Sequence, residues 1–170
     1  MNTPRRKEIR LPGYDYSQAG FYFLTICTQN SLCLFGTVQD GVMNLNSAGA
    51  MVQQWWRKLA EKFPEITLHE YIVMPNHVHG IIQISREDEN DAGDDDSPTV
   101  AKAVQWFKTM SINEYMREVK QQGWRRFSKR LWQRNYFEHI IRDEEAYFEI
   151  AEYIKTNPQN WGKDKYYQSM

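Results

Sequence analysis

His77 and His79 stand one residue apart inside "YIVMPNHVHGIIQI", residues 71–84, and hold two of the chain's four histidines. On an extended strand, side chains at i and i+2 project from the same face and the residue between them from the other. The two imidazoles therefore point together and Val78 points away. On a helix the same spacing would set them roughly 200° apart, so the pair can act as a chelate only on a strand. The flanking Tyr, Ile, Val and Met read independently as strand. Two imidazoles with one oxygen ligand and open positions suit Mg2+ or Mn2+ gripping a phosphate. A structural zinc site needs four ligands, and Cys27 and Cys33 offer no pair at ligand spacing. The alternative is two half-buried histidines hydrogen-bonded to their neighbours. Gly80 marks a place where another backbone or a substrate can approach closely.

A cation held by imidazoles can polarise a phosphodiester, which leaves a nucleophile to be found. With ten tyrosines in the chain, the choice needs a criterion. In "EIAEYIKTNPQNW", Tyr153 precedes Asn157 by four residues, so the two share a helical face one turn apart. A carboxamide oxygen at Asn157 could complete the ligand set while Tyr153 faces the same ion. Only Tyr14 and Gln18 match that spacing elsewhere, in a segment without helical periodicity. Tyr153 and Asn157 fall on the flank of the stripe Tyr147, Ile150, Ala151 and Ile154. That flank can meet a site at a sheet surface, and it is also where ordinary amphipathic tyrosines sit.

The elements that must position these groups follow from pattern. "FYFLTICTQN" reads as a buried strand, and "CLFGTVQDGVMNLN" as a hairpin turning at Gln39-Asp40-Gly41. Ser47 can cap a helix running to about Lys62, with Met51, Trp55 and Leu59 inward and Pro64 closing it. "ITLHEYIVM" and "HVHGIIQI" are strands joined by Pro75-Asn76. Ser97-Pro98 are expected as cap and first residue of a helix to about Val119, facing inward through Val100, Val104, Phe107 and Met110. "LWQRNYFEHII" reads as a strand, and Asp143 caps a last helix stopped by Pro158. The layout is α+β: an antiparallel sheet close to a ferredoxin-like βαββαβ, with an added C-terminal helix carrying the tyrosine. Residues 1–170 are expected to form one domain, with 1–20 a basic arm and 86–97 an acidic loop insertion.

Charge is unevenly spread along the chain. Its net value is −1, yet residues 87–96, "EDENDAGDDD", carry seven acidic side chains and no basic one. Outside that run 21 basic residues face 15 acidic ones. Nine Lys or Arg fall between Lys102 and Arg134, against Glu114 and Glu118 alone. A basic body of this kind fits a polyanion partner, while a solvated helix face and a solvated loop are the plainer alternative. No stretch approaches the roughly 18–20 apolar residues of a membrane span, and no signal-peptide core follows the basic N-terminus. A cytoplasmic protein without membrane association is expected.

With "PNHVHG" on a strand and "EYIKTNP" on the last helix, the sequence resembles the single-tyrosine HUH transposases of the IS200-like superfamily, and within them the REP-associated tyrosine transposases. "RRKEIRLPGYDYSQAGFYFLTICTQN", "YIVMPNHVHGII" and "LWQRNYFEHIIRDEEAYFEIAEYIKTNP" stand in family order over nearly the whole chain. The resemblance implies metal ligation by His77, His79 and Asn157, where many relatives carry Gln, and a catalytic tyrosine at Tyr153. It implies cleavage and rejoining of single-stranded, hairpin-forming DNA with Mg2+ or Mn2+ through a 5′-phosphotyrosine link. DNA contacts are then expected from Arg5, Arg6, Lys7 and Arg10, and from Lys102, Lys108, Arg125, Arg126, Lys129, Arg130 and Arg134. Trp124 and Trp132 could stack on splayed bases or pack in the core, and the core is the expected place for Trp132. His69 and His139 have no assigned role. The protein is expected as a monomer or homodimer.

Two other classes compete: a domesticated hairpin-DNA-binding protein without cleavage activity, and a small-molecule metallohydrolase. The first has no need of all four site residues. The second requires a further His, Asp or Glu and leaves the basic segments unexplained. The acidic loop leaves the sheet at its end and is expected at the rim or far side of any DNA path. Deleting residues 88–96 should leave hairpin-DNA affinity unchanged, or tighten it at low salt if the backbone passes nearby. A salt series on intact and deleted proteins checks this, and weaker binding after deletion would contradict it.

Overall fold

A computed structural model of the chain describes residues 19–85 and 97–169. The arm residues Arg5, Arg6, Lys7 and Arg10 and the acidic run 87–96 lie outside the described residues. Period-two burial drives the sheet. In β1 (Gly20–Cys27) the side chains of Tyr22, Leu24 and Ile26 enter one core, while Phe23 enters another on the opposite face. The hairpin β2 (Gly36–Gln39) and β3 (Val42–Leu45) turns as its sequence dictates. Asp40 and Gly41 both take left-handed backbone, at φ 51° and 73°, as a two-residue type I′ turn requires.

Helix α1 (Ser47–Arg57) is capped by Asn46, whose side chain accepts from Gly49 N at 2.9 Å. The expected cap at Ser47 is one residue late, because Asn46 also ties back to Leu34 O. A break at Lys58 separates α1 from the single turn α2 (Leu59–Lys62). That break lets Trp56, rather than Trp55, fill the core: Trp56 is 1% exposed, and Trp55 instead donates to Glu114 at 2.7 Å. Strands β4 (Ile66–Met74) and β5 (His77–Ile84) follow, joined by Pro75 and Asn76.

Helix α3 (Val100–Gln122) is capped by Thr99, which accepts from Lys102 N, and not by Ser97-Pro98. It ends on Gly123, whose φ of 70° favours glycine. Its inner face carries Val100, Ala103, Val104, Phe107, Ser111 and Tyr115. Ser111 takes the place expected for Met110 because its hydroxyl accepts the Trp132 indole N–H at 2.9 Å. Only Phe137–Ile141 of the expected long strand joins the sheet, as β6. Trp132 meets Thr28 in an isolated bridge and is buried, which fulfils the expectation of a core tryptophan. Asp143 caps α4 (Glu144–Thr156) by accepting from Ala146 N at 2.8 Å.

The order across the sheet is β4-β5-β1-β6, all antiparallel. That is the ferredoxin-like arrangement, with the β2–β3 hairpin inserted before α1. Helices α1 and α3 cover one face. Helix α4 lies on the other, over β4, β5 and β6, through Ala151 and Ile154 against Phe23, Ile81 and Ile141. His69 steers α4: its ring bonds the Tyr147 hydroxyl at 3.0 Å and Gln83 Oε1 at 3.1 Å. Its role is to hold the tyrosine helix against a bulge in β4.

Gly80 has a structural partner. The Trp56 indole lies on its Cα, so a methyl group there would run into the ring. The close approach foreseen at Gly80 is therefore made by the protein's own core, on the face away from the histidines. Overpacking costs typically about 1–3 kcal/mol. Gly80→Ala should lower Tm by several degrees in thermal unfolding. A change too small to resolve would mean that Trp56 moves aside freely.

Candidate metal and nucleophile site

His77 and His79 open β5 on the α4 face, and both are buried, at 0% and 1% exposure. Thr25 is the cross-strand partner of His79, and Cys27 that of His77. Each ring is fixed through Nδ1. His79 Nδ1 meets the Thr25 hydroxyl at 2.8 Å, and His77 Nδ1 meets Asn76 Oδ1 at 2.8 Å. The Asn76 amide has no freedom to turn, because its Nδ2 donates to the carbonyls of Ser31 and Tyr166 at 3.1 and 2.8 Å. Asn76 Oδ1 is then the acceptor, so His77 carries its proton on Nδ1 and leaves Nε2 bare. His77 Nε2 is buried without a hydrogen-bond partner.

Helix α4 delivers the rest. The Tyr153 hydroxyl lies 3.4 Å from His79 Nε2, a long hydrogen bond whose direction follows the His79 tautomer. Its ring packs edge-on to His79 and Phe23. Asn157 is buried at 1% exposure, at the junction of α4 with a 3-10 turn over Asn157–Lys163. Its Nδ2 donates to Asp164 Oδ2 at 2.9 Å, and its Oδ1 has no partner. The structure thus brings together all four residues singled out by spacing, within one chain. A further donor without an imidazole, Asp164, was missed. His77, His79 and Asp164 each bring a ligand atom within 4.8 Å of the other two.

Buried, bare lone pairs cost about 1–3 kcal/mol each when nothing meets them. Two converging here, on His77 and Asn157, with a carboxylate beside them fit a divalent cation better than a packed core. The plainer alternative of hydrogen-bonded histidines accounts for Nδ1 on each ring and leaves the His77 Nε2 orphaned. Burial pushes His77 down to about 4, against the pull of the Asp164 charge, and holds His79 well below its ordinary value. Burial, and then the Asp164 charge, raise the Tyr153 phenol. The ring of Tyr166 lies against His77, with centroids 4.7 Å apart.

The basic residues divide. Arg125, Arg126, Lys129, Arg130 and Arg134 are exposed on the segment after α3. That segment is tied beside the histidine end of β1, by Gln29 N to Leu131 O at 2.8 Å and Gln133 N to Cys27 O at 2.9 Å. Lys108 instead donates to the carbonyls of Gln133 and Arg134, and burial lowers it to about 8. Lys102 donates to Ser97 O at 3.1 Å. Both ammonium groups serve the chain's own backbone. Half-buried Trp124 packs on Tyr115, and His139 is exposed on β6.

Known proteins bear on this geometry. The sequence model of the IS200-like transposases matches residues 42–157. The chain belongs to the IS200-like transposase family. It is 41% identical over 170 residues to an uncharacterized protein of Haemophilus influenzae, covering 95% of this chain and 93% of that one. It is 26% identical over 151 residues to a second H. influenzae protein, assigned by name to the REP-associated tyrosine transposases, covering 87% and 75%. Two solved structures share the fold. One is a REP-associated tyrosine transposase bound to a REP hairpin, at 20% identity and TM-score 0.58 over 97% of this chain and 77% of that one. The other, from Deinococcus radiodurans and described as a transposase, is 18% identical with TM-score 0.50 over 86% and 95%. The resemblance seen in the sequence motifs is thereby established. Among the described residues no helix is long and apolar enough to cross a membrane.

The histidine burial has a pH consequence. An unfolded histidine takes up a proton near pH 6.5, whereas native His77 stays neutral down to about 4. Between those values the unfolded state binds more protons, so stability falls as pH falls through that window. Metal-free protein should lose Tm from pH 6.5 to 4.5 more steeply than the His77→Asn variant. Parallel slopes would contradict the buried, neutral imidazole.

Proposed function

We propose that this protein cleaves and rejoins single-stranded, hairpin-forming DNA, with Tyr153 as nucleophile and Mg2+ or Mn2+ held by His77, His79 and Asn157. The observation that carries the reading is the Tyr153 hydroxyl at 3.4 Å from His79 Nε2, beside the orphaned His77 Nε2 and Asn157 Oδ1. A cation bound there would act as a Lewis acid on the scissile phosphate. The chain's own residues do the rest. Tyr153 Oη attacks phosphorus, a bond to the phenolic oxygen forms, and the P–O3′ bond breaks. The electron pair leaves on O3′, which takes a proton and becomes a free 3′-OH, while the 5′ side stays on Tyr153 as phosphotyrosine. Burial and the Asp164 charge raise the phenol in the metal-free chain, and the proton it releases on attack is matched by the one that O3′ takes up. Rejoining is the reverse, attack by a 3′-OH on the phosphotyrosine, and the conserved ester energy makes ATP unnecessary.

Helix α4 is anchored at both ends by Asp143 and the Asn157 turn, which keeps Tyr153 in line with the histidines. Both belong to one chain, so no partner subunit is needed to complete the set. Exposed Arg125, Arg126, Lys129, Arg130 and Arg134 hold the phosphate backbone, joined by Arg5, Arg6, Lys7 and Arg10 of the arm. A binder that does not cut would need no bare lone pairs beside a tyrosine.

Incubation with hairpin DNA and Mn2+ should give a covalent protein–DNA species on a denaturing gel, absent in Tyr153→Phe. His77→Ala and His79→Ala should abolish it while leaving hairpin affinity within a few-fold, because affinity rests on the basic segments. An adduct undiminished in Tyr153→Phe would pass the nucleophile to another tyrosine. Loss of both folding and DNA binding in the histidine variants would make the pair structural.

A further inference from the structure

We propose that Asp164 is a fourth ligand of the cation, an anionic donor added by the turn that follows the tyrosine helix. The inference rests on the metal reading above and adds a residue to it. Asp164 lies beyond residue 157, where the family match ends. It is carried back to the histidines by the 3-10 turn Asn157–Lys163, which buries Pro158 and Trp161.

Three observations point to Asp164. Its carboxylate, half-buried, has an oxygen within 4.8 Å of a ligand nitrogen on each histidine, and those nitrogens lie equally close to one another. That bound is compatible with donors sharing one coordination sphere around an ion with bonds of about 2.0–2.6 Å. Secondly, its Oδ2 accepts from Asn157 Nδ2 at 2.9 Å. Turning that amide over would set two oxygens against each other, so Asp164 fixes Asn157 with Oδ1 free. The orphaned Oδ1 and the orphaned His77 Nε2 are both nine-tenths or more buried and share the pocket with the carboxylate. Thirdly, Asp164 is itself held. Its Oδ1 accepts from Tyr166 N at 2.7 Å, closing a local turn, and Tyr166 O in turn accepts from Asn76, the residue that orients His77. The carboxylate and the histidine share one hydrogen-bonded frame.

Charge explains why a carboxylate is useful here. Two neutral imidazoles and an amide leave both positive charges of the ion uncompensated among three buried ligands. One carboxylate removes half of that excess, and the number of charged ligands tunes affinity for hard cations. Neither the Asn157 Nδ2 bond nor the Tyr166 N bond uses up both lone pairs of the oxygen it meets, so ligation does not require breaking the frame.

Mn2+ binding is measured by isothermal titration, without DNA, on wild type, Asp164→Asn, Asp164→Ala, Asn157→Ala, Asn157→Ala/Asp164→Asn and His77→Ala, with folding followed by thermal unfolding in EDTA. Asp164→Asn keeps the acceptor for Tyr166 N and should weaken Mn2+ by at least about tenfold. The double variant should lose more than either single one. Asp164→Asn or Asp164→Ala binding within twofold of wild type overturns the proposal, as does a loss that disappears in the Asn157→Ala background, since Asp164 would then act only by holding Asn157. Mn2+ binding unaffected by His77→Ala would instead sink the metal reading itself. Should neither Asp164 variant fold, crystals of wild type with Mn2+ decide: an Asp164 oxygen bonded to the ion upholds the proposal, and a water in its place overturns it.

Discussion

A backbone carbonyl oxygen can only accept a hydrogen bond, and two of them set the chemistry of this site. Ser31 O and Tyr166 O take both protons of the Asn76 amide nitrogen. The amide oxygen is thereby turned to His77, the ring proton is held on Nδ1, and Nε2 faces the pocket bare. The turn carrying Asn76 is itself clamped, with Thr28 N on Asn76 O and both Leu34 N and Phe35 N on Pro75 O. Were the turn loose, either ring nitrogen of His77 could hold the proton and the pocket would present no fixed donor. Thr25 orients the His79 ring from the neighbouring strand through the same nitrogen, with a hydroxyl that can donate or accept.

The packing around this point holds its buried groups in place. The apolar run that brackets the histidines is the sheet's inner strand, between β1 and β4. Its other face is filled by Trp56 over Gly80, which leaves no room for slippage of β5. On the site face, α4 is held by the Asp143 cap, the His69–Tyr147 bond and the Ala151 and Ile154 contacts. The same rigidity leaves buried donors and acceptors unmet. The cost of that is local instability, and the structural meaning is a pocket whose polar groups are set before any ligand arrives.

The pair His77 and His79 was legible from sequence because a strand's period of two needs no tertiary knowledge. Tyr153 and Asn157 were legible because i and i+4 coincide on a helix. The four-stranded α+β layout and the Asp40-Gly41 hairpin followed from equally local rules. What escaped was whatever depends on chain meeting chain. Thr25 meets His79 through strand register across 54 residues. Asp164 returns through a 3-10 turn containing Pro158 and Gly162, which carries no hydrophobic period. Asn76 read as a turn residue, and only its contacts with Ser31 and Tyr166 make it the orienter of a histidine. The slip from Trp55 to Trp56, and of the caps to Asn46 and Thr99, are errors of one or two residues where a break or a side-chain bond competes with simple periodicity.

The account stands on the presentation of both imidazoles through Nε2, and nitrogen NMR of histidine-labelled, metal-free protein at pH 7 tests that most directly. Both His77 and His79 should be neutral, with the proton on Nδ1 and an unprotonated Nε2, and Mg2+ should shift the Nε2 signals while leaving Nδ1 bonded. A proton on Nε2 of His77, an imidazolium at neutral pH, or a metal-induced shift confined to Nδ1 would contradict the account.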